Sequence, residues 1–227
     1  MSRPVQVAID GPGGAGKTSV ARAVADALGV ECLDTGAMYR AVAAAVLRRG
    51  VDPADAESVA AVAREVVADI EVGAEAVRLD GIDVSEEIRG AAVTEAVSAV
   101  AANPAVREVM VACQQVWAAA RDGCVMEGRD ITTVVLPGAD VRVYLSADPA
   151  VRARRRSGES GADEAAVRAA LSVRDRLDST RRHAPLPAPD DLPAGVREID
   201  TTHRSVAEAV GEIMEMIEAL PGGARGT

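Results

Sequence analysis

Short apolar runs alternate along the chain with longer stretches whose apolar residues recur at helical spacing, a rhythm that predicts an α/β protein. "VQVAI" (5–9) is a β-branched run read as a buried strand, and "TSVARAVADALG" after it reads as a helix starting near Gly16. "VECLD" (30–34) predicts a second strand, followed by Thr35 as N-cap of the helix "GAMYRAVAAAVLRRG". "DPADAESVAAVAREVVAD" predicts a helix capped by Asp52 with Pro53 at its first position. The period then changes, because "IEVGAEAVRLDGIDVS" alternates and carries Asp80-Gly81, a hairpin signal. "RGAAVTEAVSAVAA" and the stretch opened by Asn103-Pro104 predict two more helices, and "CVME" and "VRVYLS" two short strands of a central sheet. Asp148-Pro149 opens a helix ending in "RARRRSGESGADE", read as a glycine-hinged, arginine-rich loop. A helix from Asp163 to about Arg182, the proline-rich "APLPAPDDLP", a strand "VREID" and a last amphipathic helix ending near Leu220 complete the pattern.

Strands alternating with helices imply a doubly wound parallel sheet. The expected organisation is one domain over 1–227, with a core of 4–50, 104–150 and 195–220. An insertion spans about 51–103, with its small β excursion at 70–84; a lid covers about 152–165 and a disordered tail 221–227.

Between the first strand and helix, Gly11 to Thr18 fits G-x-x-x-x-G-K-[ST] without a gap, in the strand–loop–helix context that this phosphate-binding loop requires. Gly11, Gly13, Gly14 and Gly16 let backbone N–H groups turn inward around an anion, and the following helix points its positive end at the same place. Gly11, Pro12, Gly13, Gly14, Ala15, Gly16, Lys17, Thr18 and Ser19 are therefore expected to bind ATP. Lys17 would reach the β- and γ-phosphates, and the Thr18 hydroxyl would sit on Mg²⁺. Of 25 basic residues Lys17 is the only lysine, so a compact ammonium stands where the loop wants one and arginine everywhere else.

Composition narrows the partners. A net charge of −10 with pI near 4.8 argues against a nucleic-acid surface, so anionic substrates must be met by local arginine clusters. With no Phe, one Trp and two Tyr, the core must be packed from small aliphatics. Cys32, Cys113 and Cys124 lack metal-type spacing and read as reduced thiols, and His183 and His203 are too few and scattered for a metal site. Neither a signal peptide nor a run of membrane length is visible, so a cytoplasmic protein without a membrane partner is expected, acting as a monomer.

A GTPase would need an N-K-x-D element, which a chain whose single lysine is Lys17 does not have, and a large motor ATPase would need more chain. A small kinase remains, its acceptor open. Several further segments, in this order and spacing, then make the chain resemble the bacterial cytidylate kinase family over nearly its whole length: "LDTGAMYR" (33–40), "DVSEEIR" (83–89), "VSAVAANPAVR" (97–107), "GRDITTVVLPGA" (128–139), "RARRR" (152–156), "RDRLDSTRRHAPL" (174–186) and "IDTT" (199–202). The resemblance implies transfer of the γ-phosphoryl of ATP to CMP or dCMP, giving CDP or dCDP. It also implies that Thr35, Arg40, Ser98, Arg107, Arg129, Asp130, Arg174, Asp178 and Arg181 line the monophosphate site, and that Arg152, Arg155 and Arg156 belong to a mobile lid that acts with Lys17 in catalysis. Arg40, Arg174 and Arg181 would hold the acceptor phosphate, Asp178 the ribose hydroxyls, and Asp130 the cytosine amino group, with Arg107 and Ser98 on the acceptor edge of the base.

The family usually has Asp where this chain has Glu127, and Gly where it has Thr132. Glu127 is expected to help hold Mg²⁺ through a bound water, and Thr132, which takes positive φ poorly, to alter the loop after Asp130. Each arginine also has a plain reading on its own. Arg152–Arg156 fits a solvated helix end, Arg129–Asp130 a surface ion pair, and Arg174, Asp178 and Arg181 an exposed ladder at i, i+4 and i+7. Another acceptor (UMP, AMP or an alcohol such as shikimate) would keep the P-loop and change the rest. A non-enzymatic ATP sensor would need no acceptor pocket at all.

Overall fold

The computed structural model describes residues 5–181 and 184–221, so the expected disorder of the tail beyond Pro221 and the place of His183 lie outside the described residues. Every short apolar run expected to be a strand is one. β1 (Gln6–Asp10) lies at the centre of a five-stranded sheet ordered β2-β6-β1-β7-β8, with β2 Glu31–Asp34, β6 Cys124–Gly128, β7 Val141–Ser146 and β8 Val196–Asp200. β1 runs parallel to both neighbours, Asp10 standing opposite Gly128 on one side and Tyr144 on the other. β7 and β8 are parallel as well. Parallel pairing forces crossover connections, and the C-terminal ends of the strands, where Asp10 and Gly128 lie, collect the loops that carry chemistry.

The chain divides into two compact units, Met1–Cys32 with Arg121–Thr227, and Leu33–Ala120. In the first, Val7, Ile9, Val125, Val143, Leu145 and Ile199 from the sheet pack with Val20, Ala21 and Val24 of α1 (Lys17–Leu28) and with Ala209 and Ile213 of α8 (Val206–Glu218). No aromatic side chain enters this cluster. Its stability comes from many small side chains, each fully buried Val or Ile worth about 1.5–3 kcal/mol.

The second unit is built around α2 (Thr35–Arg48), which is buried on nearly every face. α3 (Ala56–Val66), α4 (Ala91–Ala102) and α5 (Pro104–Ala119) pack against it, as does a three-stranded antiparallel sheet of β3 (Ile70–Val72), β4 (Val77–Leu79) and β5 (Ile82–Asp83). The β4–β5 turn is Asp80-Gly81 with φ of 53° and 74°, the two left-handed residues of a tight hairpin. α2 and α5, which the sequence reading put with the core, share this unit with the insertion. Among the described residues no single helix is long and apolar enough to cross a membrane; α4 and α5 pass only as a pair, bent by 91°.

Four local expectations are corrected. The cap of α2 is Asp34, whose carboxylate accepts from Ala37 N at 2.9 Å, and Thr35 is the first helical residue. Asp52 instead accepts from Ala54 N in a turn, and α3 starts three residues later behind Asp55, which accepts from Ser58 N. The arginine-rich segment is a helix: α6 spans Pro149–Ser160, ends at Gly161 in the left-handed region (φ 70°), and is followed by α7 (Glu164–Thr180). Arginine is a good helix former, and Gly158 is tolerated within the helix, so the hinge shrinks to residues 161–163. α7 stops at Thr180, leaving Arg181 as its extended C-cap.

Candidate active site

The phosphate loop leaves β1 under tight constraint. A Cβ at Gly11 would lie 2.1 Å from the Leu145 carbonyl oxygen, and Gly16, at φ 86°, caps α1 in a conformation that side chains resist. No side chain caps α1 and no acidic residue sits in its first turn, so the amide donors of the helix start are kept for a ligand. Lys17 is buried, donates to the Pro12 carbonyl at 3.1 Å and lies 3.9 Å from Glu127. Thr18 Oγ1 donates to Glu127 Oε1 at 2.5 Å. The longer side chain of Glu127 thus reaches the loop itself from the end of β6. A hydroxyl and one carboxylate suit a hard cation that arrives with its own phosphate ligands. Among the described residues no group of three or more His, Cys, Asp or Glu could hold a metal by itself.

Beside the loop lies a cavity of about 370 Å³ lined by Gly14, Gly16 and Ser19 on one side and by Arg155, Thr201 and Ser205 on the other. Arg155 donates to Thr201 Oγ1 (3.0 Å) and to its carbonyl (2.6 Å), and the Thr201 hydroxyl proton is shared between the carbonyls of Ala15 and Ser146. Arg152 is buried and donates to Gly13 O at 3.0 Å, Ala147 O at 3.1 Å and Asp175 Oδ2 at 2.7 Å. Arg156 pairs with Glu159 on the surface of α6. Two of the three arginines expected in a mobile lid are therefore docked on the loop and on the β8–α8 corner. Neither Thr201 nor Asp175 is among the residues expected at the site; "IDTT" hints at the first, and nothing local signals the second.

A second cluster of the same unit gathers around Asp178, buried near the end of α7. Arg129 Nε donates to it at 2.9 Å, and Arg174 and Arg181 approach at 4.0 Å and 3.9 Å. Arg181 also lies 3.9 Å from Asp130, and its side chain is only 7% exposed, which removes the exposed-ladder reading. Burial pulls the Arg129 guanidinium down, but the carboxylates of Asp178, Glu127 and Asp175 outweigh it and hold the group above its ordinary pKa. Arg129 stays charged. Tyr144, opposite Asp10, is pushed up to about 12, chiefly by burial, and stays neutral.

Asp130 opens a single π turn, Ile131–Val135, with bonds from Val135 N to Asp130 O and from Leu136 N to Ile131 O. Thr132 takes no positive φ: among the described residues only Asp80 and Ala184 do so without being glycine. Thr132 therefore sits in the π turn without backbone strain.

In the second unit Thr35 and Arg40 are buried on α2. Arg40 Nη1 donates to Ile88 O at 2.8 Å and to Thr94 Oγ1 at 3.0 Å, and Ser98 stands one turn beyond Thr94 on α4. Arg107, buried, stands one turn into α5, where its backbone N–H bonds the carbonyl of Asn103, the α5 cap.

A family model described as cytidylate kinase matches residues 7–219. The chain is 47% identical over 223 residues to a cytidylate kinase of Rhodococcus opacus, covering 95% of this chain and 96% of that one. It is 46% identical over 224 residues to one from Mycolicibacterium paratuberculosis, covering 96% of each. Among solved structures, a gluconokinase from Sinorhizobium meliloti superposes with a TM-score of 0.55 at 15% identity over 97% of this chain and 95% of that one. A sugar kinase from Janibacter sp. gives 0.51 at 15% identity, over 98% and 99%. These two share the fold alone; with the sequence relatives and the family match, the chain belongs to the cytidylate kinase family.

Proposed function

We propose that this chain transfers the γ-phosphoryl group of ATP to CMP or dCMP, releasing ADP and CDP or dCDP. The observation that carries the reading is a complete phosphate loop in a chain that matches cytidylate kinases over nearly all its length. Lys17 and the loop amides hold the donor phosphates, and the cavity beside them takes the adenosine. Thr18, and Glu127 through a bound water, would hold Mg²⁺, which would neutralise phosphate charge. Thr35, Arg40, Ser98, Arg107, Arg129, Asp130, Arg174, Asp178 and Arg181, the residues that the family resemblance assigns to the monophosphate, bind the acceptor nucleotide. The acceptor phosphate is already an anion at neutral pH, so positioning and charge neutralisation suffice and no strong base is needed. That need is met by a site rich in arginine. Arg152 and Arg155 hold the loop from outside, and Arg156 acts on the transferring group. The reading carries with it a monomeric cytoplasmic enzyme without nucleic-acid or membrane partners.

A coupled ADP-release assay over all nucleoside monophosphates, with and without EDTA, tests it. CMP and dCMP should stimulate ATP turnover well above UMP and AMP, and EDTA should abolish it. Turnover that ignores CMP, or a faster rate with another acceptor, would overturn the reading.

A further inference from the structure

Asp10, the last residue of β1, is completely buried and has no place in the chemistry described so far. Its carboxylate accepts three hydrogen bonds, from Ile131 N (2.9 Å), Thr132 N (2.8 Å) and Thr132 Oγ1 (2.6 Å). These two amides belong to the first residues of the π turn, whose opening N–H groups have no partner within the turn. A helical turn is ordinarily capped by the residue that opens it, and Asp is among the best residues for that duty. Here the opening residue is Asp130, yet its side chain makes no cap bond, and its φ and ψ of −147° and 24° lie outside the usual capping geometry. Asp130 instead stands 3.9 Å from Arg181.

We propose that Asp10, aided by the Thr132 hydroxyl, caps the Ile131–Val135 turn from a distant strand and so keeps the Asp130 carboxylate directed at the acceptor nucleotide. Asp10 is a positioning residue for base selection. The inference rests on the reading above, in which Asp130 accepts from the cytosine amino group. Ionised Asp10 has acceptors for all three donors, and no water is needed to complete the set. Burial, with the charge of Asp130 adding to it, raises its pKa against the hydrogen bonds from Thr132 and Ile131, which favour the carboxylate. An amide in its place offers one acceptor oxygen and turns an NH₂ group toward backbone N–H donors. The vacated cap is then taken by the carboxylate of the residue that opens the turn, Asp130, which swings away from the base. Thr132, where the family resemblance leads one to expect glycine, supplies a third bond that glycine cannot make.

The test compares Asp10→Asn, Thr132→Val, Thr132→Ser and Asp130→Asn with the wild type, measuring kcat/KM for CMP and UMP and KM for ATP. Asp10→Asn should lower the CMP:UMP ratio about tenfold or more, as Asp130→Asn does, with ATP KM changed less than threefold. Thr132→Val should lower the ratio about two- to fivefold, and Thr132→Ser should restore it. A ratio kept by Asp10→Asn, or a fall in CMP and ATP use by the same factor, would overturn the inference. If Asp10→Asn fails to fold, the decision passes to the Thr132 pair: an unchanged ratio in Thr132→Val overturns the proposal. A wild type that does not prefer CMP to UMP removes the proposed function and this inference with it; a wild type that prefers CMP, beside an unaltered Asp10→Asn, removes the inference alone.

Discussion

The phosphate loop and the Asp178 cluster both handle charge in the first unit, but they are built on opposite plans. The loop is one contiguous segment that works through backbone amides, is wedged against Leu145, and contributes a single charged side chain, Lys17. The cluster is made of side chains from segments 49 residues apart, with arginines arranged around one carboxylate. In the loop the scaffold and the charge are separable, so a substitution should be felt as chemistry. In the cluster the charges are themselves the scaffold, so a substitution should be felt as stability and chemistry together.

Lys17→Arg tests that separation most severely. The buried ammonium sits under Pro12 O, and a planar, longer guanidinium cannot occupy that point. We expect kcat/KM to fall by about 100-fold or more, with the melting temperature nearly unchanged; calorimetry and the ADP-release assay measure the two. Next comes Asp178→Ala, which strips the half-buried Arg129 of its carboxylate. It should cost about 2 kcal/mol, or about 5 °C in melting temperature, and reduce activity as well. Activity should drop more for CMP than for dCMP, because only CMP has a 2′-hydroxyl to lose. Arg181→Ala should harm both substrates equally. If Asp178→Ala changes only stability, the cluster is scaffold and does not read the sugar.

Asp130→Asn should keep the fold and reduce the CMP over UMP preference about tenfold, mainly by losing CMP, as parallel kinetics with both acceptors will reveal. The smallest effect is expected at the join of the loop with its neighbouring strand. Glu127→Asp withdraws the carboxylate from Thr18, and the Mg²⁺ concentration for half-maximal rate should rise about two- to fivefold, the worth of one hydrogen bond. A magnesium titration at saturating ATP reads it.

The same contrast explains what could be read from the sequence. The loop, every strand of the central sheet and the Asp80-Gly81 hairpin are local patterns, and each is found where its residues predict it. Caps are ambiguous in sequence where two capping residues compete a few positions apart: Asp34 with Thr35, and Asp52 with Asp55. In both cases the choice depends on which side chain the following amides reach. The π turn, the pairing of Arg152 with Asp175 and the bonds from residues 131 and 132 to Asp10 join positions 23 to 122 residues apart or an irregular turn, and no periodicity encodes them. Family resemblance named Arg129, Asp130 and Asp178 without their partners; their mutual geometry had to come from the fold.

Lys17, the only lysine in the chain, is 6% exposed beneath the loop it serves. Apart from the chain terminus, every primary amine of the protein is therefore this one atom. An amine-selective acylating reagent added to the folded enzyme has a single internal target, and because that target is buried the rate of labelling is a clock of the exposure of Lys17. A nucleotide that closes on the loop should slow the clock, and a protease specific for lysine would have one bond to cut, at the same place. The protein carries its own single-site reporter of donor occupancy.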